Sequence, residues 1–445
     1  MLELTKSAVS YSWAMSLFGV QQVLNLLAPE QSCASGCKVN SAFYKVTQAT
    51  ENQFSDVVLG GFQIGDDLQR GLTDLVFDAV TLRGFNSANL SRLGHDLASQ
   101  SKDTLRIFTS VQDAQLAAEQ LRNSVEVYNL VRNVGSLLHI PPGAQCIDLG
   151  KRIEQAYALG QYPDLWAVEG LGHDYAMTFF PRWGKGRHVR GILTDEKAAV
   201  LPDKSLTMMH AGMGLAFAQQ LLTRITPYSS GAEVAGVLEE FVRLVKDNSR
   251  AGYEGAAYES LGLVTRFQYP QLVTRVDEQL RLVEPNVLSY FWHGAGRAHY
   301  FLPLYFVPGL LSPWLAIERE APHELGLLNM TSGLSWAMAI VNIRQPLIME
   351  NFLRYHGERV GRTPAFSNGV MSVLIMGIDI TPGDVYIESF LRYRPSAENK
   401  DLWNQLIAGP AREALTHIHP VLKEHRRLGE VFRYQDLREL AERLR

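Results

Sequence analysis

One short phrase recurs seven times between residues 170 and 409: a glycine, then small and apolar residues at helical spacing. Four copies read Gly170-Leu-Gly-His-Asp-Tyr-Ala, Gly212-Met-Gly-Leu-Ala-Phe-Ala, Gly255-Ala-Ala-Tyr-Glu-Ser-Leu and Gly294-Ala-Gly-Arg-Ala-His-Tyr. The remaining three are Gly333-Leu-Ser-Trp-Ala-Met-Ala, Gly369-Val-Met-Ser-Val-Leu-Ile and Gly409-Pro-Ala-Arg-Glu-Ala-Leu. A period of about 40 residues is that of helix-hairpin arrays. Glycine inside a helix costs about 1 kcal/mol against alanine, so tertiary packing must compensate. Two residues after each anchor stand Gly172, Gly214, Ala257, Gly296, Ser335, Met371 and Ala411. Small side chains in that column predict helices in close approach.

The pattern predicts an all-α protein: an N-terminal helical region over 1–140, then an α-solenoid of about seven helix hairpins over 150–445. Ile140-Pro-Pro-Gly marks the boundary, because prolines end a helix. Helical spacing is also legible from Ala42 to Thr81 and from Ala114 to Leu138. Ser230-Gly-Ala-Glu233 is a capping box opening an amphipathic helix, and Thr381-Pro-Gly-Asp384 opens another. The charged segment from Tyr434 to Arg445 suits a polar end cap.

With 46% hydrophobic and 20% charged residues and a net charge of −4, the 445-residue chain reads as folded and shows no nucleic-acid footprint. Three cysteines are too few for a disulfide framework, which makes the cytoplasm the default location. From Ser7 to Pro29 there is no charge, but serines, glutamines and Asn25 make the stretch amphipathic. A helix over 7–27, docked on protein or lying on a membrane surface, is the expectation.

Several phrases invite catalytic readings that the repeat explains better. Gly294-Ala-Gly-Arg and Gly212-Met-Gly-Leu lack the third glycine of a dinucleotide fingerprint, and no cofactor is implied. Ser335 resembles a nucleophile elbow but falls in the small-residue column. His417-Ile-His419 puts two histidines on different helix faces, so no metal site is expected.

The better candidates precede the anchor glycines: Glu169, Ala211, Glu254, His293, Ser332, Asn368 and Ala408. Equivalent positions of a solenoid line up on one surface, giving a polar row. His173, Asp174, His210 and Glu259 lie close in register, and Arg297 can reach an acidic partner. One reading is a ligand groove lined by Glu169, His173, Asp174, His210, Glu259 and Asn368. Glu254, His293 and Arg297 would then be its acid/base and anion-holding groups. The other reading is helix caps and buried ion pairs. The aromatic stretch from Tyr300 to Trp314 suits either a core loop or the lining of an apolar pocket.

In their order and spacing the phrases resemble the domain-of-unknown-function 1702 family, found in enediyne polyketide biosynthesis clusters. The matching residues are Glu169-Gly-Leu-Gly-His-Asp-Tyr-Ala-Met177, Gly212-Met-Gly-Leu-Ala-Phe-Ala218, Gly294-Ala-Gly-Arg-Ala-His-Tyr-Phe301 and Ser332-Gly-Leu-Ser-Trp-Ala337. Leu215 stands where the family has tryptophan. The resemblance covers about 155–430 and implies a bacterial protein of secondary or lipid-like metabolism. The expected function is that of an accessory protein holding an apolar metabolite or a biosynthetic partner protein. An enzyme acting on a polyketide or lipid chain, and a pure scaffold, remain the alternatives.

Overall fold

The computed structural model describes residues 111–445 except 142, 145, 181–188 and 303–312. The helices expected at 7–27 and Ala42–Thr81, and the middle of the Tyr300–Trp314 stretch, lie outside the described residues. The chain divides into two compact units, 1–125 with 302–312, and 126–301 with 313–445.

Among the described residues the fold is an all-α helical-repeat array without strands. In chain order the helices are α1 Val111–Arg132, α2 Val134–Leu137, α3 Leu149–Tyr157, α4 Pro163–Met177, α5 Leu206–Leu222 and α6 Gly231–Asn248. There follow α7 Glu254–Gln268, α8 Val273–Val283, α9 Leu288–Tyr300, α10 Pro313–Glu320, α11 Glu324–Val341 and α12 Pro346–Val360. Next come α13 Ala365–Ile380 and α14 Val385–Arg392; α15 runs from Lys400–Trp403 to His419–Glu424, and α16 is Leu437–Leu444. The single helix expected over Ala114–Leu138 breaks after Arg132 into α1 and α2.

Ser230 and Glu233 form the reciprocal capping box at α6. The expected start at Thr381-Pro is displaced: Thr381 closes α13, donating its hydroxyl to Gly377 O, and the N-cap of α14 is Asp384, which accepts from the amides of Tyr386 and Ile387. Within α15, π-turns at Asn404–Ala408 and Ala414–Ile418 each end two residues before a proline, Pro410 and Pro420. Proline cannot donate the i→i−4 hydrogen bond, and the wider turn takes up the mismatch.

The anchor helices α4, α5, α7, α9, α11 and α13 stack in sequence as an inner layer, and their glycines make the joints. A Cβ on Gly212 would overlap the carbonyl of Glu169, one on Gly294 that of Glu259, one on Gly333 that of His293 and one on Gly369 that of Ser332. A second set faces the next helix: Gly172 lies against Met209, Gly214 against Ala257, Gly262 against Phe291 and Gly296 against Met330. Each anchor thus meets the carbonyl just before the previous anchor. The residue two further on meets the backbone three before the next anchor. Such contact places Cα–H groups against carbonyl oxygens and leaves no room for a methyl group. Gly170 continues the rule backwards against Val131, so the end of α1 serves as a first layer member.

This register corrects the sequence alignment at two copies. In α7 the anchor is Ser260, with Gly262 two residues on, and not Gly255. The Ser260 hydroxyl donates to Ala211 O at 2.9 Å, satisfying the carbonyl that a glycine would merely approach. Gly255 instead makes room for the carbonyl of Gly429, whose amide donates to Gly252 O at 2.7 Å. Gly409, between the π-turns of α15, has only Asn404 of its own helix close by. The array also curls on itself: Tyr162, at the start of α4, donates its hydroxyl to Val341 O at the end of α11 at 2.8 Å.

Candidate functional site

The register decides which polar residues meet. With Ser260 as anchor, the residue preceding it is Glu259, in line with Glu169 and His293. Arg297, one turn beyond His293 on α9, donates Nη1 to Glu259 Oε2 at 3.0 Å. Its Nη2 donates to Glu169 Oε1 at 2.9 Å and to Oε2 at 3.2 Å. His293 Nδ1 lies 2.9 Å from Glu259 Oε1. The guanidinium stacks 4.6 Å from the ring centroid of Trp336. All four charged or titratable groups are sealed, at 0–3% exposure.

Two carboxylates share one guanidinium, and their pKa values move in opposite directions. Burial is the largest influence on Glu169 and pushes its carboxyl above the usual range against the attraction of Arg297. Burial would raise Glu259 as well, but Arg297 and His293 together outweigh it and hold that carboxyl below the usual range. Burial alone would lower Arg297, yet the two carboxylates raise it further, so it stays charged.

The other expected site residues separate from this cluster. Glu254, half-buried at the start of α7, accepts from the Gly252 amide of the preceding turn at 2.7 Å. It does not meet His293 or Arg297, so the predicted catalytic trio is not assembled. His210 is buried between Leu206 O, 2.6 Å from Nδ1, and the Arg250 amide, which donates to Nε2 at 2.9 Å. Burial lowers its pKa to about 4, so this imidazole is a neutral structural bridge stacked on Tyr253. Asn368 accepts from the Ser332 hydroxyl at 3.0 Å and donates to Gln435 O at 2.7 Å, tying the C-terminal segment to α13. Ser335 Oγ sits 2.9 Å from both Ser332 O and Phe366 O, in a packing position. Among the described residues no group of three His, Cys, Asp or Glu side chains is arranged to hold a metal.

His173 and Asp174 open outward onto a cleft. His173 Nδ1 lies 3.1 Å from Asp174 Oδ1, and its Nε2 lies 2.9 Å from Gln219 Oε1. Both line this cleft, of about 770 Å³, between the last turn of α4 and the segment running from Arg132 through α2 to Ile147. The candidate row therefore splits into a closed interior cluster and an open cleft. Sequence reasoning missed Ser260 and Trp336. Ser260-Leu-Gly262 carries the same spacing as Gly170-Leu-Gly172, and was hidden behind the more conspicuous Gly255. Comparison with family models, curated proteins and solved structures gives no match to this chain.

Proposed function

We propose that this chain is a non-catalytic accessory protein that holds a small molecule or a partner at its surface, in a bacterial secondary-metabolite pathway. One observation carries the non-catalytic part. Glu169, Glu259, His293 and Arg297 bond to one another inside the inner layer, where no substrate reaches them. A general acid or base must come within hydrogen-bond reach of the group it serves, and a sealed one cannot. The glycine joints point the same way, since an inner layer at backbone contact leaves the row no groove. The cleft at Asp174 supports the binding part, being roomy, concave and lined by both apolar and polar groups. The pathway assignment rests on the resemblance of four phrases, in their order, to the domain-of-unknown-function 1702 family.

The test is purification from the native host under mild conditions, with mass spectrometry of what co-purifies. The expected result is a small molecule or biosynthetic protein carried by the wild type and lost from the His173→Ala/Asp174→Ala double variant. The recovered small molecule should stay chemically unchanged on incubation with fresh protein. Conversion by the wild type but not by folded Glu259→Gln would restore the enzyme reading.

A further inference from the structure

Three helices end at the cleft. α1 stops at Arg132, α2 at Leu137 and α4 at Met177, and residues from each of these ends form its walls. A helix C-terminus carries the equivalent of about half a negative charge, and basic residues usually gather there. The last turn of α4 has no basic residue and holds Asp174 instead. A carboxylate at that end opposes the helix dipole, so helix stability does not account for it. Asp174 Oδ1 is engaged by His173, while Oδ2 takes no hydrogen bond among the described residues. Gly135 lies opposite it, where a Cβ would stand 3.5 Å from Oδ2, at ordinary van der Waals contact.

The cationic residue on the rim does not neutralise this charge. Arg132 turns back along its own helix, donating to the Tyr128 hydroxyl at 3.1 Å and lying over that ring. Ile140, Pro141, Ile147 and Met177 supply apolar wall around the carboxylate. His139 sits at the rim in the left-handed backbone region, φ 51°, which favours glycine.

Building on the cleft as the working site, we infer that it takes an organic amine: an ammonium group on Asp174 Oδ2, with an apolar body against Ile140 and Met177. The end of α4, which carries no basic residue, adds to the attraction for a cation and repels a carboxylate or phosphate of the same size.

Isothermal titration of the full chain with phenethylamine, 3-phenylpropionate and phenethyl alcohol tests this. Phenethylamine is expected to bind at least about 10-fold more tightly than the other two, a ratio ordinary for a single charge-assisted contact. Asp174→Asn, whose fold is checked by its thermal midpoint, should bring the amine down to the affinity of the alcohol. On the unaltered protein, raising salt from low to high should weaken the amine and leave the alcohol unaffected. Equal binding of alcohol and amine overturns the inference while leaving the cleft as a site. Preference for the acid does the same. Binding by none of the three probes also overturns it, and the co-purification result then decides separately whether the cleft works at all.

Discussion

Glu259 Oε1 lies 2.9 Å from His293 Nδ1, joining two consecutive helices of the inner layer at the same level. The same level exists because Gly294 rides on the carbonyl of Glu259, and Gly333 in turn on that of His293. Backbone contact sets the register, and register sets which side chains meet.

The glycine joints should therefore resist even one added methyl group. Gly212→Ala and Gly294→Ala are expected to destabilise the protein by about 3 kcal/mol or more, the upper range for overpacking, because backbone rather than side chain must yield. Gly236, exposed on α6 with nothing within 4 Å, is the control. Gly236→Ala should stabilise by about 1 kcal/mol through helix propensity. Urea unfolding of the three variants measures both signs.

Arg297 holds two buried carboxylates, and truncating it strands both. Arg297→Met is expected to cost about 3–5 kcal/mol. Glu169→Gln should cost only about 1–2 kcal/mol, since Arg297 keeps Glu259 as its partner and the amide oxygen still accepts a hydrogen bond. Equal losses in the two variants, measured by chemical denaturation at neutral pH, would contradict this division of charge.

His210 gives the fold an acid-sensitive joint. Its folded pKa is lowered to about 4, so the unfolded chain takes up a proton that the folded chain refuses. The stability it contributes is complete above pH 6.5 and is lost as pH falls towards 4, about 3 kcal/mol over that interval. Glu169 acts in the opposite sense. Its stabilisation is complete below the ordinary carboxylate pKa and is lost as pH rises through its raised folded value. Denaturation curves at pH 7, 5.5 and 4 should show a shallower acid loss in His210→Gln than in the wild type. Curves of equal slope would remove His210 from the account.

Helical class and the capping box at Ser230 were legible in the sequence because they are local, and the small-residue columns because one contact recurs in every layer. The columns report on a carbonyl next door, and the box on an amide three residues away. The composition of the cluster was also legible in part, since Glu169, Glu259, His293 and Arg297 were all marked. The sealing of the cluster was not. Whether a solenoid row faces a groove or an interior depends on how the array curls, and that rests on distant contacts such as Tyr162 with Val341. The choice of Glu254 over Glu259 failed for a related reason. Gly255 looks like an anchor, but its small size serves Gly429, which lies 174 residues further on by the numbering. A serine that hydrogen-bonds a carbonyl can hold the same joint as a glycine that avoids it, and spacing alone does not separate the two.

The most direct measurement compares the unfolding free energies of Glu259→Gln and Glu254→Gln. The register described here places Glu259 in a sealed ion cluster, where losing its charge leaves Arg297 and His293 underpaired, at an expected cost of about 3 kcal/mol or more. It places Glu254 at a half-buried helix start, where the loss should stay near or below about 1 kcal/mol. That order supports Ser260 as the anchor and a structural role for the interior. Equal costs, or the larger cost at Glu254, would contradict both.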